Sequence, residues 1–117
     1  MAKEINQWDI WLVDFPLEEN PKIFLPRPVV VLNVEPIQLL SLKITKHKPR
    51  DKYDVIIHKW REAGLKYEST ARVSKIIRLS HLKFKYKLGV LDEFDRNNVE
   101  NSFIEYVQSR KYNAFKV

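Results

Sequence analysis

The chain has 117 residues, 44% hydrophobic and 31% charged, which makes it one domain with its own core and excludes disordered and fibrous classes. Its 21 Lys+Arg against 15 Asp+Glu give a net charge of +6 and favour an anionic partner: nucleic acid first, an acidic protein segment second, a membrane surface third. Cysteine is absent, which excludes disulfides and thiolate metal sites; no apolar run reads as a signal core or a bilayer span, so a cytoplasmic protein is expected.

Taken in chain order, Trp8 to Phe15, "WDIWLVDF", has the β-rich bulk of a strand and stops at Pro16. Leu17 to Pro26 is a polar, proline-bounded loop with an apolar patch at Ile23 to Leu25. Val29 to Val34 is a continuous aliphatic run, the pattern of a strand buried on both faces. Gln38 to Thr45, "QLLSLKIT", alternates as a third strand. Lys46 to Lys52, "KHKPRDK", is a basic loop before a fourth strand, Tyr53 to Ile57. "HKWREAGL" predicts one helical turn stopped by Gly64. Thr70 to Leu79 predicts a strand, and "KFKYK", Lys83 to Lys87, reads as lysines out and aromatics in.

The last element differs. Phe94, Val99, Phe103, Ile104 and Val107 recur at helical spacing, with Asp92 as N-cap and acids in the first turn. Five to seven short strands joined by connections too short for βαβ units imply antiparallel pairing. The expected fold is mainly β, a small antiparallel barrel closed by a C-terminal helix, in a single domain over residues 1–117.

Arg27 stands between two prolines in "FLPRPVVVL". Proline fixes its own φ and pushes the preceding residue to extended geometry, so Arg27 is held extended beside a core strand. One reading pairs it with a carboxylate such as Asp14; the other gives it a function. Trp8, Trp11 and Trp60 read as core, and His47, His58 and His81 are too scattered for a metal site. RNA scission by a ribose 2′-hydroxyl needs a base, an acid and positive charge at the phosphorane, and no cofactor. Arginine supplies a planar fork for phosphate oxygens. A threonine hydroxyl can add a donor, basic loops hold flanking phosphates, and aromatics stack splayed bases.

Read in order, "WDIWLVDFP", "RPVVVL", "LKITKH", "AGLKYESTARVSKIIRL" and "KLGVLDEFD" resemble the successive blocks of the MazF/PemK toxin family across nearly the whole chain. The resemblance implies an SH3-like antiparallel β-barrel with a C-terminal helix, as in the MazF/CcdB/PemK group. It also implies a homodimeric, sequence-specific, metal-independent endoribonuclease of a type II toxin–antitoxin pair. Such enzymes cleave single-stranded RNA, mRNA included, to 2′,3′-cyclic phosphate and 5′-hydroxyl ends, and an acidic antitoxin neutralises them. No cofactor, metal or membrane is implied.

By the same resemblance Arg27 and Thr45 stand at the catalytic positions. Lys46, Lys48, Arg50, Arg72 and Ser74 are the RNA-binding candidates. In one branch a later strand carries Arg-x-Asp; here it reads Arg72-Val73-Ser74. The first strand commonly opens Gly-Asp-Ile in this family, whereas this chain has Trp8-Asp9-Ile10. The usually glycine-rich loop before "RP" has no glycine here, and its only carboxylates, Glu18 and Glu19, join His47 as candidate general bases. Two alternatives stand beside the enzyme: a non-catalytic relative that binds RNA or a protein, and a CcdB-like gyrase poison. The poison relies on a C-terminal tryptophan tail that "YNAFKV" lacks.

Overall fold

A computed structural model describes residues 3–115, with side chains up to residue 110. Six strands precede one helix: β1 (Asp9–Pro16), β2 (Phe24–Val34), β3 (Gln38–Thr45), β4 (Asp54–Ile57), β5 (Ser69–Ser80), β6 (Phe84–Val90) and α1 (Glu93–Phe115). A single 3₁₀ turn, His81–Lys83, links β5 to β6. The strands form one sheet in the order β4-β5-β3-β2-β1-β6, with every pair antiparallel. The ladder does not run on from β6 to β4, so the expected barrel has a seam. Across that seam the turn after β4 lies directly against β6, where Gly89 meets Ala63 and Gly64.

Apolar side chains fill both faces of this curved sheet. Ile10, Val30, Leu42, Ile44, Ala71 and Val73 share one core, which α1 covers through Val99 and Phe103. Trp11, Val13, Val29, Val31, Leu39 and Phe84 form the other. The run Val29 to Leu32 is thus buried on alternating sides, but the two-sided burial expected to continue to Val34 stops there, with Asn33 and Val34 exposed. Each fully buried aliphatic of this size contributes about 1.5–3 kcal/mol relative to exposure. Of the three tryptophans, Trp11 is buried, while Trp8 and Trp60 are half-buried against the first core.

Three sequence expectations are corrected. Residues 24–26 belong to β2 rather than to the preceding loop, because their ladder with β1 continues to Pro16–Phe24. In "KFKYK" only Phe84 points inward. The β1–β6 register slips between Leu12 and Val13, so Tyr86 pairs with Leu12 while Phe84 pairs with Val13. That bulge turns Tyr86 to the opposite face. On α1 the buried side is Asp95, Val99, Ser102 and Phe103, whereas Phe94, Ile104 and Val107 are exposed.

Two polar contacts seat the helix. Asp95, wholly buried, accepts hydrogen bonds from the backbone N–H groups of His58 (2.9 Å) and Lys59 (2.8 Å). Ser102 Oγ donates to the Tyr53 carbonyl at 2.7 Å. As expected, Asp92 caps the helix: its carboxylate accepts from the Phe94 N–H at 2.9 Å. The predicted turn before Gly64 is also present, with Ala63 N–H bonded to the Lys59 carbonyl and Gly64 at φ +83°.

Candidate active site

The two prolines around Arg27 shape the site. β2 stays in register with β1 across both of them, with Pro26 facing Asp14, Arg27 facing Val13 and Pro28 facing Leu12. Proline has no N–H to give, so the donors missing at 26 and 28 fall on the side towards β3. The β2–β3 ladder accordingly ends at Val29–Lys43. Arg27 and Thr45 lie two residues beyond that last pair on their respective strands, with no ladder pair joining them. A cleft of ≈ 490 Å³ lies here, lined by both residues.

Arg27 is exposed, and its Nη1 donates to the Pro26 carbonyl at 2.9 Å. It makes no ion pair among the described residues; Asp14, the partner considered for it, instead meets Lys85 at 3.3 Å. Thr45 is half-buried, and its Oγ1 accepts the His47 backbone N–H at 3.3 Å, which leaves the hydroxyl proton to donate elsewhere. Lys46, His47 and Arg50 line the same cleft. Lys48 lies outside its lining.

A second hollow, ≈ 390 Å³, shares Arg27, Lys43, Arg50 and Arg72 with the first. Glu18 and Glu19 lie in this hollow, not in the cleft with Thr45. Lys75 bonds Glu18 at 2.9 Å. That hydrogen bond and the lysine's charge hold the Glu18 carboxyl below the usual carboxylate range, with smaller help from Lys43 and Arg72. An ionised Glu18 so engaged is a weakened proton acceptor.

Arg72 sits deeper than its sequence position implied. Its side chain is buried, with Nε 3.1 Å from Asp54 and Nη2 3.5 Å from Asp51. Ser74, where the family branch has an acid, donates its hydroxyl to Asp51 at 3.1 Å. The β3–β5 register shifts after Leu42–Ile76 to Lys43–Arg72, so Val73 to Lys75 form a bulge that releases Ser74 from the ladder. Burial works against ionisation of Asp51. Hydrogen bonds from the Tyr53 N–H, Ser74 and the Asp54 N–H, with the charge of Arg72, outweigh it and hold the carboxyl low. A carboxylate from the β3–β4 loop, Asp51, thus lies beside both Arg72 and Ser74.

Sequence reasoning missed Lys43, Tyr67 and Tyr86, all of which line the cleft. Lys43 carried no signal beyond an outward lysine in an alternating strand. Tyr86 is displaced by a bulge, and Tyr67 follows the Gly64 turn in a segment without periodicity. Among the described residues no three His, Cys, Asp or Glu side chains cluster as a metal site, and no helix is long and apolar enough to cross a membrane.

No curated protein matches the sequence. A mycobacterial endoribonuclease superposes with a TM-score of 0.72 at 9% identity, over 92% of this chain and 94% of that one. A mycobacterial endoribonuclease in complex with its cognate antitoxin gives 0.69 at 10% identity, over 90% and 96%. A Mycobacterium tuberculosis MazF toxin gives 0.66 at 14% identity, over 81% and 91%. At such identities the likeness is one of fold. The family model of PemK-like, MazF-like toxins of type II toxin–antitoxin systems matches residues 6–107. By that match the chain, whose proline-flanked arginine and strand-end threonine line one cleft, belongs to the PemK-like, MazF-like toxin family.

Proposed function

We propose that this chain is a sequence-specific endoribonuclease, the toxin of a type II toxin–antitoxin pair, acting on single-stranded RNA in the cytoplasm. The observation that carries the reading is the convergence of Arg27 and Thr45, distant in sequence, on one cleft rimmed by lysine and arginine. Family membership supports it, and similar folds belong to proteins described as endoribonucleases.

In the reaction, a ribose 2′-oxygen attacks the adjacent phosphorus and loses its proton to a base. The P–O5′ bond breaks, and the 5′-oxygen leaves as a hydroxyl after receiving a proton. The products are a 2′,3′-cyclic phosphate and a 5′-hydroxyl, with no metal required. Arg27 grips the non-bridging oxygens as charge builds on them, and Thr45 donates to the same oxygens. The proline-held strand keeps the ordering cost of Arg27 low. His47 shares the cleft with both, whereas Glu18 and Glu19 face the adjoining hollow; His47 is therefore the base we favour.

The partners in this reading are mRNA, a second copy of the chain and an acidic antitoxin. The net charge of +6 suits both polyanions, and one protein of similar fold has been solved with its cognate antitoxin. Incubation of pure protein with a defined RNA in EDTA tests the proposal. Discrete cuts ending in cyclic phosphate are expected. Retention of RNA without cutting selects the non-catalytic alternative, and inhibition of DNA supercoiling selects the gyrase poison.

A further inference from the structure

The two hollows that meet at Arg27 differ in kind. On the Thr45 side, Tyr67 and Tyr86 line the cleft with 57% and 56% of their surface exposed. Exposed aromatics on a concave, cationic surface are unusual as packing residues and fitted to stack bases. Both are firmly presented. Ser69 Oγ bonds the Tyr67 carbonyl at 2.7 Å, and the Lys46 ammonium lies 4.8 Å from the centre of the Tyr67 ring. Tyr86 is held on β6 by its pairing with Leu12 beside the bulge. Apolar Leu12, Leu65 and Leu88 line the same cleft and cannot hydrogen-bond a phosphate.

The Glu18 side has no such surface. Its one aromatic, Phe15, is buried, with Lys43 lying over the ring at 5.7 Å. Its polar lining is Lys75, with Glu18 held by it, Glu19, and the cations Arg27, Lys43, Arg50 and Arg72 that it shares with the first cleft; Pro16, Leu17 and Leu25 complete it without an aromatic face. Without an aromatic beside them, such cations hold chiefly the phosphate backbone, whose contacts carry no direct sequence information.

We infer that this enzyme reads RNA on one side of the cleaved bond only. Tyr67 and Tyr86 stack the bases on the Thr45 side of the scissile phosphate, and the Glu18 side grips phosphates irrespective of base. The inference rests on the endoribonuclease reading and adds to it which residues set sequence preference. Loss of one stacked base costs roughly 5- to 150-fold in affinity.

The test uses a single-stranded RNA oligomer containing one mapped cut, with one abasic ribonucleotide placed in turn at each flanking position. Abasic residues keep the 2′-hydroxyl and phosphate and remove only the base. Cleavage efficiency is expected to fall at least fivefold for abasic positions on one side of the cut and less than twofold on the other. Tyr67→Ala and Tyr86→Ala are expected to lower kcat/KM for the intact oligomer by a similar factor and to add little when the matching base is already missing. Tyr→Phe at either position restores cutting, and thermal unfolding of all four variants matches wild type. Equal dependence on both sides, on neither, or alanine variants as efficient as wild type would overturn the inference and leave the nuclease reading intact. If the wild-type protein binds the oligomer without cutting it, the same series read by affinity decides the point. A protein that neither cuts nor binds RNA removes both readings.

Discussion

Gly64 and Gly89, the only glycines in the chain, rest backbone against backbone. A Cβ on Gly64 would stand 2.0 Å from the Leu88 carbonyl oxygen, and one on Gly89 would stand 2.3 Å from that of Ala63. Gly64 also lies at φ +83°, where an L side chain is strained. Gly64→Ala is expected to lose about 3 kcal/mol, combining strain with overpacking, and Gly89→Ala about 2 kcal/mol. Denaturant unfolding with midpoints equal to wild type would show that the contact is not tight. Because Leu65 and Leu88 flank these glycines and line the cleft, cleavage should fall further than the folded fraction alone explains.

Trp8, at the position where the resemblance implies a glycine before Asp-Ile, adopts φ +71°, the one positive φ outside glycine among the described residues. Its backbone N–H bonds the Val31 carbonyl and its carbonyl accepts from Leu91, so the conformation is locked from both sides. The indole's packing on the core offsets strain of about 1–2 kcal/mol. Trp8→Ala loses the ring and keeps the strain; Trp8→Gly loses the ring and sheds it. The glycine variant should therefore be the more stable by about 1 kcal/mol in chemical denaturation, the reverse of the usual order. The opposite ranking would contradict this account.

Arg72 and Asp54 form a buried pair, with the Asp54 carboxylate also accepting the Arg50 N–H at 2.8 Å. Removing Arg72 leaves the buried Asp54 carboxylate without a cation, and removing Asp54 leaves the buried guanidinium only the longer contact to Asp51 at 3.5 Å. Arg72→Ala and Asp54→Ala should each cost about 3–5 kcal/mol. Arg72→Lys should not restore stability, since a lysine cannot reach both aspartates with one fork. An Arg72→Ala protein with wild-type stability and weakened RNA binding would instead assign this arginine to phosphate.

Arg27, exposed and unpaired among the described residues, behaves oppositely. Arg27→Ala should leave stability within about 0.5 kcal/mol of wild type and lower the cleavage rate by about 10²- to 10³-fold. Thr45→Val should produce a smaller loss, and Arg27→Lys should not recover full activity because the bidentate grip is gone. A rate for Arg27→Ala equal to wild type on a mapped substrate would remove the site assignment.

The Asp51 carboxyl lies below its ordinary value of 3.8 in the folded state. A depressed pKa means the ionised form supports folding above 3.8 and that support disappears as pH falls through the lower folded value. Asp51→Asn should therefore be less stable than wild type at pH 7 and converge with it in strong acid. Melting curves across pH 2–7 would show the two lines meeting; parallel lines would place Asp51 outside the balance.

The sequence was most informative where one period governed an element. The boundaries of β3, the two-sided burial of Val29 to Leu32 and the Asp92 cap all follow from local pattern. Two prolines marked out Arg27 and a matching family block marked out Thr45, and the structure adds that both line one cleft. What stayed hidden depends on slips of register. Tyr86 points away from Phe84 because of one bulge, and Ser74 leaves its ladder because of another. No local pattern reveals a bulge in a distant pair. Asp95 was likewise read only as a first-turn acid, since the two N–H groups it serves lie 36 and 37 residues away.

The seam between β4 and β6 carries one more consequence. Sheets zipped all the way round can dilate only by rupturing a ladder, whereas this one meets itself through bare main-chain contact beside the substrate groove. Breathing at that join would widen or narrow the groove while every strand keeps its partners. Gly64, Leu65 and Leu88 line that groove, so the closeness of the two glycine positions helps set its width there.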